Sequence, residues 1–290
     1  MLHAAKPERQ LCAAPGCKFD AIALSDHCWQ HTPDKEAYKN GLFEHIDAGK
    51  SLAGANFAKA DLENVILDGA DLRNADFAGA CLRRVSLKGV DLAGACLTHT
   101  YWEKSFLEKV DLTGAKLEGA RFLRADLVKV TADGARLSHA DFAGSGIERC
   151  SFVEAFLDFA NLAETRIEQT DFTSAIMGGC NFAAAELEEC NLSRASLVGA
   201  NFHTANLQKV DFTLARPAGA IFREATLDEC SLVKAIIREA DFSNAHLVEC
   251  DLREAIMERA KFKAALFKNV NMANAGAEGA DFAECRGLER

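Results

Sequence analysis

Three cysteines and a histidine near the start of the chain have the types and spacing to hold a metal ion. Leu11-Cys12-Ala13-Ala14-Pro15-Gly16-Cys17 is followed by Asp26-His27-Cys28-Trp29-Gln30-His31, so Cys12, Cys17, Cys28 and His31 read C-x4-C-x10-C-x2-H. Zinc takes thiolate and imidazole ligands in a tetrahedron, and close pairs on short loops supply them. The Pro15-Gly16 turn lets the first pair fold back. Four protein ligands leave no open position for a substrate, so the expected cofactor is a structural Zn2+. His27 is a competing ligand that adjoins Cys28. An alternative reading, a zinc-dependent nucleic-acid adaptor, would use Lys6, Arg9 and Lys18 near the metal.

No second constellation suggests chemistry. The chain has no H-E-x-x-H, no G-x-S-x-G and no G-x(4)-G-K-[ST]. His99 and His139 share an outward phase but stand forty residues apart with Gly119 between them. The expectation is a protein that is not an enzyme.

Two kinds of element must position the cluster. Residues 1–31 form a zinc-knuckle-like segment, and 32–49 predict a capping helix. Thr32 can cap it, Pro33 suits its first turn, and Asp34 and Glu36 favour the positive end of the dipole. Tyr38, Leu42, Phe43 and Ile46 give it an apolar stripe at helical spacing. Residues 50–290 are different in kind. From Leu52 to Phe282 every fifth residue is an apolar centre, 47 units in unbroken register, with Leu or Phe in 37 of them. Two residues before each centre sits a small side chain, Ala in 29 units with Lys50 alone out of type, and between the two Asp or Asn occurs 19 times.

A period of five fits neither the 3.6 of a helix nor the 2 of a strand. It fits a chain that turns a corner every five residues, with the small and the large residue pointing inward. A second period of twenty separates the centres into columns. Leu62, Leu82, Trp102, Phe122 and Phe142 begin an aromatic-rich column that ends at Phe282, whereas Leu67 to Leu247 form an aliphatic one. Twenty residues per coil means four sides. The expected fold is an all-β solenoid, a right-handed quadrilateral parallel β-helix of about twelve coils, roughly 55–60 Å long. The zinc knuckle and helix are expected to plug its first coil, whose strand edges would otherwise be bare. The other arrangement is a separate recognition module on a short hinge. Pro217 replaces an inward centre, and its missing amide predicts one lost ladder bond and a local bend.

The A-(D/N)-L-x-x unit, as in Ala70-Asp71-Leu72 and Ala200-Asn201-Phe202, resembles the pentapeptide-repeat family over four-fifths of the chain. That resemblance implies the same four-sided β-helix. Qnr-type members are thought to bind DNA gyrase or topoisomerase IV as DNA mimics and to dimerise end to end. By resemblance this chain would be a homodimer through its C-terminal coils. It lacks the loop insertions that interrupt the repeat in the gyrase-protecting members. The cysteine segment also resembles small C-x4-C…C-x2-H zinc motifs that precede many bacterial and phage domains.

Composition narrows the remaining classes. The net charge is −10, and residues 1–50 carry 6 Lys/Arg against 7 Asp/Glu, so the repeat tract holds nearly all of it. Direct phosphate binding by the rod is not expected. No 18-residue apolar stretch and no apolar signal core in residues 1–10 is present, which makes a cytoplasmic protein the default, with no membrane contact. Cys150, Cys180, Cys190, Cys230 and Cys250 occupy the small inward site, Cys285 continues that phase, and all six read as small hydrophobes. Cys81 and Cys96 fall at the Asp/Asn position, nearer the surface. Function is therefore expected in surface recognition of a protein partner. Two surfaces qualify. An acidic one carries Glu148, Glu168, Glu186, Glu188, Glu189, Asp228, Glu229 and Glu249, interrupted by Lys109, Lys129, Arg149, Arg166 and Lys209. It could imitate a duplex backbone and engage a type II topoisomerase. The other is apolar: Phe156, Ile176, Ile236 and Ile256 at the normally polar position, with Ser196 and Arg216 between them.

Overall fold

The computed structural model describes residues 10–287. Lys6 and Arg9 lie outside the described residues, as do positions 288–290. Beyond Lys50 the chain is a parallel β-solenoid. Leu62 and Ala60 show the repeating unit: both are fully buried, and the residues between and after them face outward. The corner follows at once, because the Val65 N–H donates to the Leu62 carbonyl at 3.1 Å and Asn64 takes φ 63°. That turn needs a positive φ at its third residue, natural for Gly or Asn. The stack imposes it even on Arg84, Glu154 and Phe159, at roughly 1–2 kcal/mol per residue, offset by the ladder bonds on either side.

Ten three-residue strands run from β1 (Ser86–Lys88) to β10 (Leu266–Lys268) and pair in parallel in chain order. Each pairing is offset by twenty residues, as in Leu87 opposite Leu107 and Leu247 opposite Phe267. The fully laddered stack spans about nine turns, fewer than the twelve coils the repeat count suggests. On this side the end coils are joined by isolated bridges alone, Ile66 to Ser86 and Leu266 to Arg286. An end coil has a neighbour on one face only, so its ladder cannot be completed on both.

Inside, the twenty-residue period becomes stacking. Phe182, Phe202, Phe222 and Phe242 lie ring on ring, with centroids 4.5–4.7 Å apart, the spacing of adjacent strands. Along the outside Asn201, Asn181 and Asn161 pass hydrogen bonds of 3.0, 3.1 and 2.9 Å down to Asp141. Pro217 is buried at its inward centre. A bridge joins Ser196 to Arg216 and another Ile236 to Ile256, but none joins Arg216 to Ile236. The missing amide accounts for this gap. The Ile236 N–H still donates to the Ala215 carbonyl at 2.9 Å, which carries the register past it.

The N-terminal segment sits on the first coil. The Ala23 N–H donates to the Asn56 carbonyl at 2.6 Å, and Asn56 Nδ2 donates to the Ala21 carbonyl at 2.7 Å, so this segment pairs with an otherwise open edge. The helix α1, Lys35–Asp47, follows a 3-10 turn at Trp29–His31. Its cap is Asp34, whose carboxylate accepts from the Ala37 N–H at 2.9 Å. Thr32, expected as the cap, is instead buried and donates its hydroxyl to the Cys28 carbonyl at 3.1 Å. Leu42 joins the rod core with no exposure, and Tyr38 and Ile46 pack against it. Phe43 does not: it is 53% exposed, because the helix lies on the coil with a narrower stripe than the sequence suggests. Among the described residues no helix is long and apolar enough to cross a membrane.

Candidate functional site

The cap brings the four spaced residues Cys12, Cys17, Cys28 and His31 together. Cys12 enters on a backbone pairing with Phe19 and Cys17 follows a turn closed from its N–H to the Ala14 carbonyl, at 3.0 and 3.1 Å. Cys28 and His31 sit at the two ends of the 3-10 turn, which places their side chains on one side. The Sγ atoms of Cys17 and Cys28 are 3.8 Å apart. His31 Nδ1 is 3.4 Å from Cys12 Sγ and 3.3 Å from Cys28 Sγ. All four ligand atoms lie within 4.8 Å of one another. A tetrahedral zinc with its ordinary bond lengths needs S···S and S···N edges of about 3.7 and 3.5 Å. The donor set therefore fits that ion. His27 stays outside the group, and its backbone is held by Ser25 Oγ at 3.0 Å.

The thiols separate electrostatically. Burial raises the pKa of Cys12, but the Cys28 and Ala14 backbone, then His31 and Cys17, outweigh it and bring the thiol down to about 6. Cys17 goes the other way: the Phe19 backbone lowers it, yet burial and the Cys12 and Cys28 sulfurs together raise it. Such division is what crowded sulfurs do when each new negative charge opposes the next. A second group, Asp61, Glu63 and Cys81, lies on the outer surface, and Glu63 is already paired with Arg84 at 3.0 Å.

The acidic residues fall largely on the laddered side. Glu148 ends β4 (Gly146–Glu148), Glu168 ends β5 (Arg166–Glu168), and Glu186 and Glu188 bound β6 (Glu186–Glu188). Asp228 ends β8 (Thr226–Asp228), and Glu189, Glu229 and Glu249 stand at the adjoining corner. Basic neighbours neutralise part of this row. Arg149 pairs with Glu148 at 3.2 Å, Arg166 pairs with Glu168, and Lys209 reaches Glu189 at 4.0 Å. The apolar row divides: Phe156 and Ile176 are 41% and 38% exposed, whereas Ile236 and Ile256 are half-buried.

The inward cysteines do more than fill space. On the laddered side the corner is not closed by a turn bond, so the Val130 N–H turns to Cys150 Sγ at 3.4 Å and the Cys150 N–H to Thr170 Oγ1 at 3.3 Å. Sulfur or hydroxyl here supplies an acceptor that Ala cannot. The sequence signal was present in the run Cys150, Thr170, Cys190, all weak hydrogen-bonding groups in one twenty-residue column. Burial pushes Cys150 up to about 11 and both Cys180 and Cys190 up to about 12. Cys81, nearer the surface, is also raised, by burial first and then by Asp61.

Eight copies of the pentapeptide repeats model match between residues 51 and 283. The heterocyst-differentiation regulator HetL of the cyanobacterium Nostoc is similar at 24% identity, with 85% of this chain and 95% of that one covered and a TM-score of 0.47. A trypsin-treated form of QnrB1, a plasmid-mediated fluoroquinolone resistance protein, is 16% identical over 61% of this chain and 90% of its own, with a TM-score of 0.36. Rfr23 of the cyanobacterium Cyanothece is 24% identical over 33% of this chain and 60% of its own, with a TM-score of 0.21. No curated protein matches significantly. Eight matched copies, a twenty-residue parallel register and inward small–large pairs on every coil leave one assignment: the chain belongs to the pentapeptide repeat family.

Proposed function

We propose that this chain is a non-enzymatic scaffold that binds another protein through the outer surface of its rod. The observation that carries the reading is the filled interior. One core of buried side chains runs without interruption from Leu42 to Phe267 and leaves the inside to packing. Recognition then falls to the outward columns. Cys12, Cys17, Cys28 and His31 hold a structural Zn2+ in this reading, and the metal stiffens the cap on the first coil. Affinity capture from the native host with the full chain as bait tests the scaffold reading. A stoichiometric protein partner is the expected result, and capture of none would overturn it.

A second reading has its own support. Glu148, Glu168 and Glu188 stand in register on consecutive strands, about 4.8 Å apart, as a regular row of carboxylates. Ordered negative charge of this kind suits a protein that normally grips DNA, such as a type II topoisomerase. A gyrase supercoiling assay decides it: the mimic inhibits the enzyme or shields it from a quinolone, and an unchanged reaction with and without the drug eliminates the reading. The C-terminal coil, where Met272 and Phe282 are half-buried, is the proposed homodimer contact. Light scattering coupled to gel filtration reads that out.

A further inference from the structure

We propose that the face carrying Phe156 and Ile176 docks an amphipathic α-helix of a partner protein that bears acidic residues near both of its ends. This rests on the reading that the rod acts through its outer surface, and names the face and the chemistry of its partner.

The column is built residue on residue. Isolated bridges join Arg136 to Phe156, Phe156 to Ile176, Ile176 to Ser196 and Ser196 to Arg216. Both arginines are exposed, and neither appears in an ion pair or side-chain hydrogen bond among the described residues. Between them the column has no charge. At its corners, Glu154 is exposed before Phe156, and Asp158 after it accepts from the Gly178 N–H at 3.1 Å.

The adjoining corner extends the apolar surface. Phe159 is 63% exposed, yet its ring is held. It lies over Gly179, where a β-carbon would come within 2.7 Å of two ring atoms. His139 stacks on the ring at 5.3 Å and 9°. Val198, 52% exposed, continues the patch one coil further on. A contiguous apolar patch on a polar protein marks an interface. A pre-set aromatic ring is the kind of anchor that dominates such interfaces.

Dimensions select the occupant. Four coil intervals put Arg136 and Arg216 about 19 Å apart along the column, the length of roughly 13 helical residues. Charge selects its ends. A helix with carboxylates near both termini meets Arg136 and Arg216 while its apolar stripe covers the centre. A second copy of this chain is a poorer fit, since a two-fold axis through Ile176 would set Arg136 against Arg216. Nucleic acid is poorer still, because between Arg136 and Arg216 the column itself offers phosphates no cation and Arg194 stands alone at its edge.

Site-specific photo-cross-linking in the native host tests this on the full chain, with p-benzoylphenylalanine in place of Ile176 and, as a control on the laddered side, in place of Gln208. The expected adduct forms at 176 and maps to a helical segment with an apolar stripe and acidic ends. That segment, made as a peptide, should bind at least tenfold more weakly to Phe159→Ser and to the Arg136→Glu, Arg216→Glu double variant. Thermal unfolding should show both variants folded. An adduct at 176 with a second copy, with nucleic acid or with a segment of other character overturns the proposal, as does unchanged affinity in Phe159→Ser. An adduct at 208 with none at 176 sinks this face and leaves the scaffold reading standing. No adduct at either position, with no protein captured, sinks both.

Discussion

Inside the rod, Trp102 Nε1 donates a 2.7 Å hydrogen bond to Thr100 Oγ1, and the same hydroxyl donates to the Leu97 carbonyl at 2.6 Å. Both residues are buried to 1% exposure or less. The inward small position, usually Ala, here satisfies an indole that no water reaches. Thr100→Val should strand the indole N–H and cost about 1–3 kcal/mol, whereas Thr100→Ser should stay close to the parent. Urea midpoints of the two variants check this, and equal midpoints would show that the bond contributes nothing.

The buried thiols make stability fall in alkali. Their ordinary pKa of 9.0 is raised by burial to about 11 for Cys150 and about 12 for Cys180 and Cys190. A group whose folded pKa lies above its unfolded value binds more protons in the folded state, so its contribution is complete below pH 9 and is lost as pH climbs toward 12. Replacing all three by Ala should flatten the loss of stability between about pH 9 and 11. Native protein at neutral pH should also leave these three thiols unmodified by iodoacetamide, and denatured protein should not. Rapid labelling of Cys190 in the native state would contradict the assignment.

Removing the proposed zinc should loosen the cap and spare the rod. The cap touches the first coil through Ala23, Asn56, Tyr38 and Leu42, and coils beyond that depend on their own ladders. Elemental analysis should find one zinc per chain in the parent and little in Cys17→Ser. Chelation should expose residues 10–31 to protease while the fragment from about residue 50 survives. A chelated protein with an unaltered digestion pattern would count against a structural metal.

Pro217 is the weak rung. Pro217→Leu should return an N–H donor toward the Ile236 carbonyl and match the Leu197 and Ile237 side chains above and below. The regained bond contributes about 1 kcal/mol, partly opposed by about 0.4–1 kcal/mol from the freer unfolded chain. With the larger buried side chain the net change should raise the melting temperature. A lower one would mean that the coil has closed around the proline ring.

How much was legible beforehand depended on distance along the chain. The interior could be read residue by residue, because each coil repeats one local rule: small residue, outward residue, large residue, turn. Leu62, Leu82 and Trp102 announced their stacking through a simple count of twenty. The clustering of Cys12, Cys17, Cys28 and His31 was legible for the same reason, since Cys28 and His31 are joined by a single turn and Cys12 and Cys17 by another. Details set by neighbours in space were not. Asp34 rather than Thr32 caps the helix because Thr32 is drawn into the turn below Cys28. The fully laddered turns number about nine because end coils lack a second neighbour. Cys150 and Thr170 appear in sequence as fillers of a small site, and only the open corner of the laddered side shows that they serve a backbone amide.

The amino-acid sequence by itself determined the architecture, because a strict period of five with alternating small and large apolar groups can be buried only by coiling and stacking. The tertiary structure decided what the outside can bind. Whether Phe159 lies flat on Gly179, and whether Arg136 and Arg216 remain unpaired, depends on side chains twenty or more residues apart meeting across coils, and the repeat constrains those outward positions least.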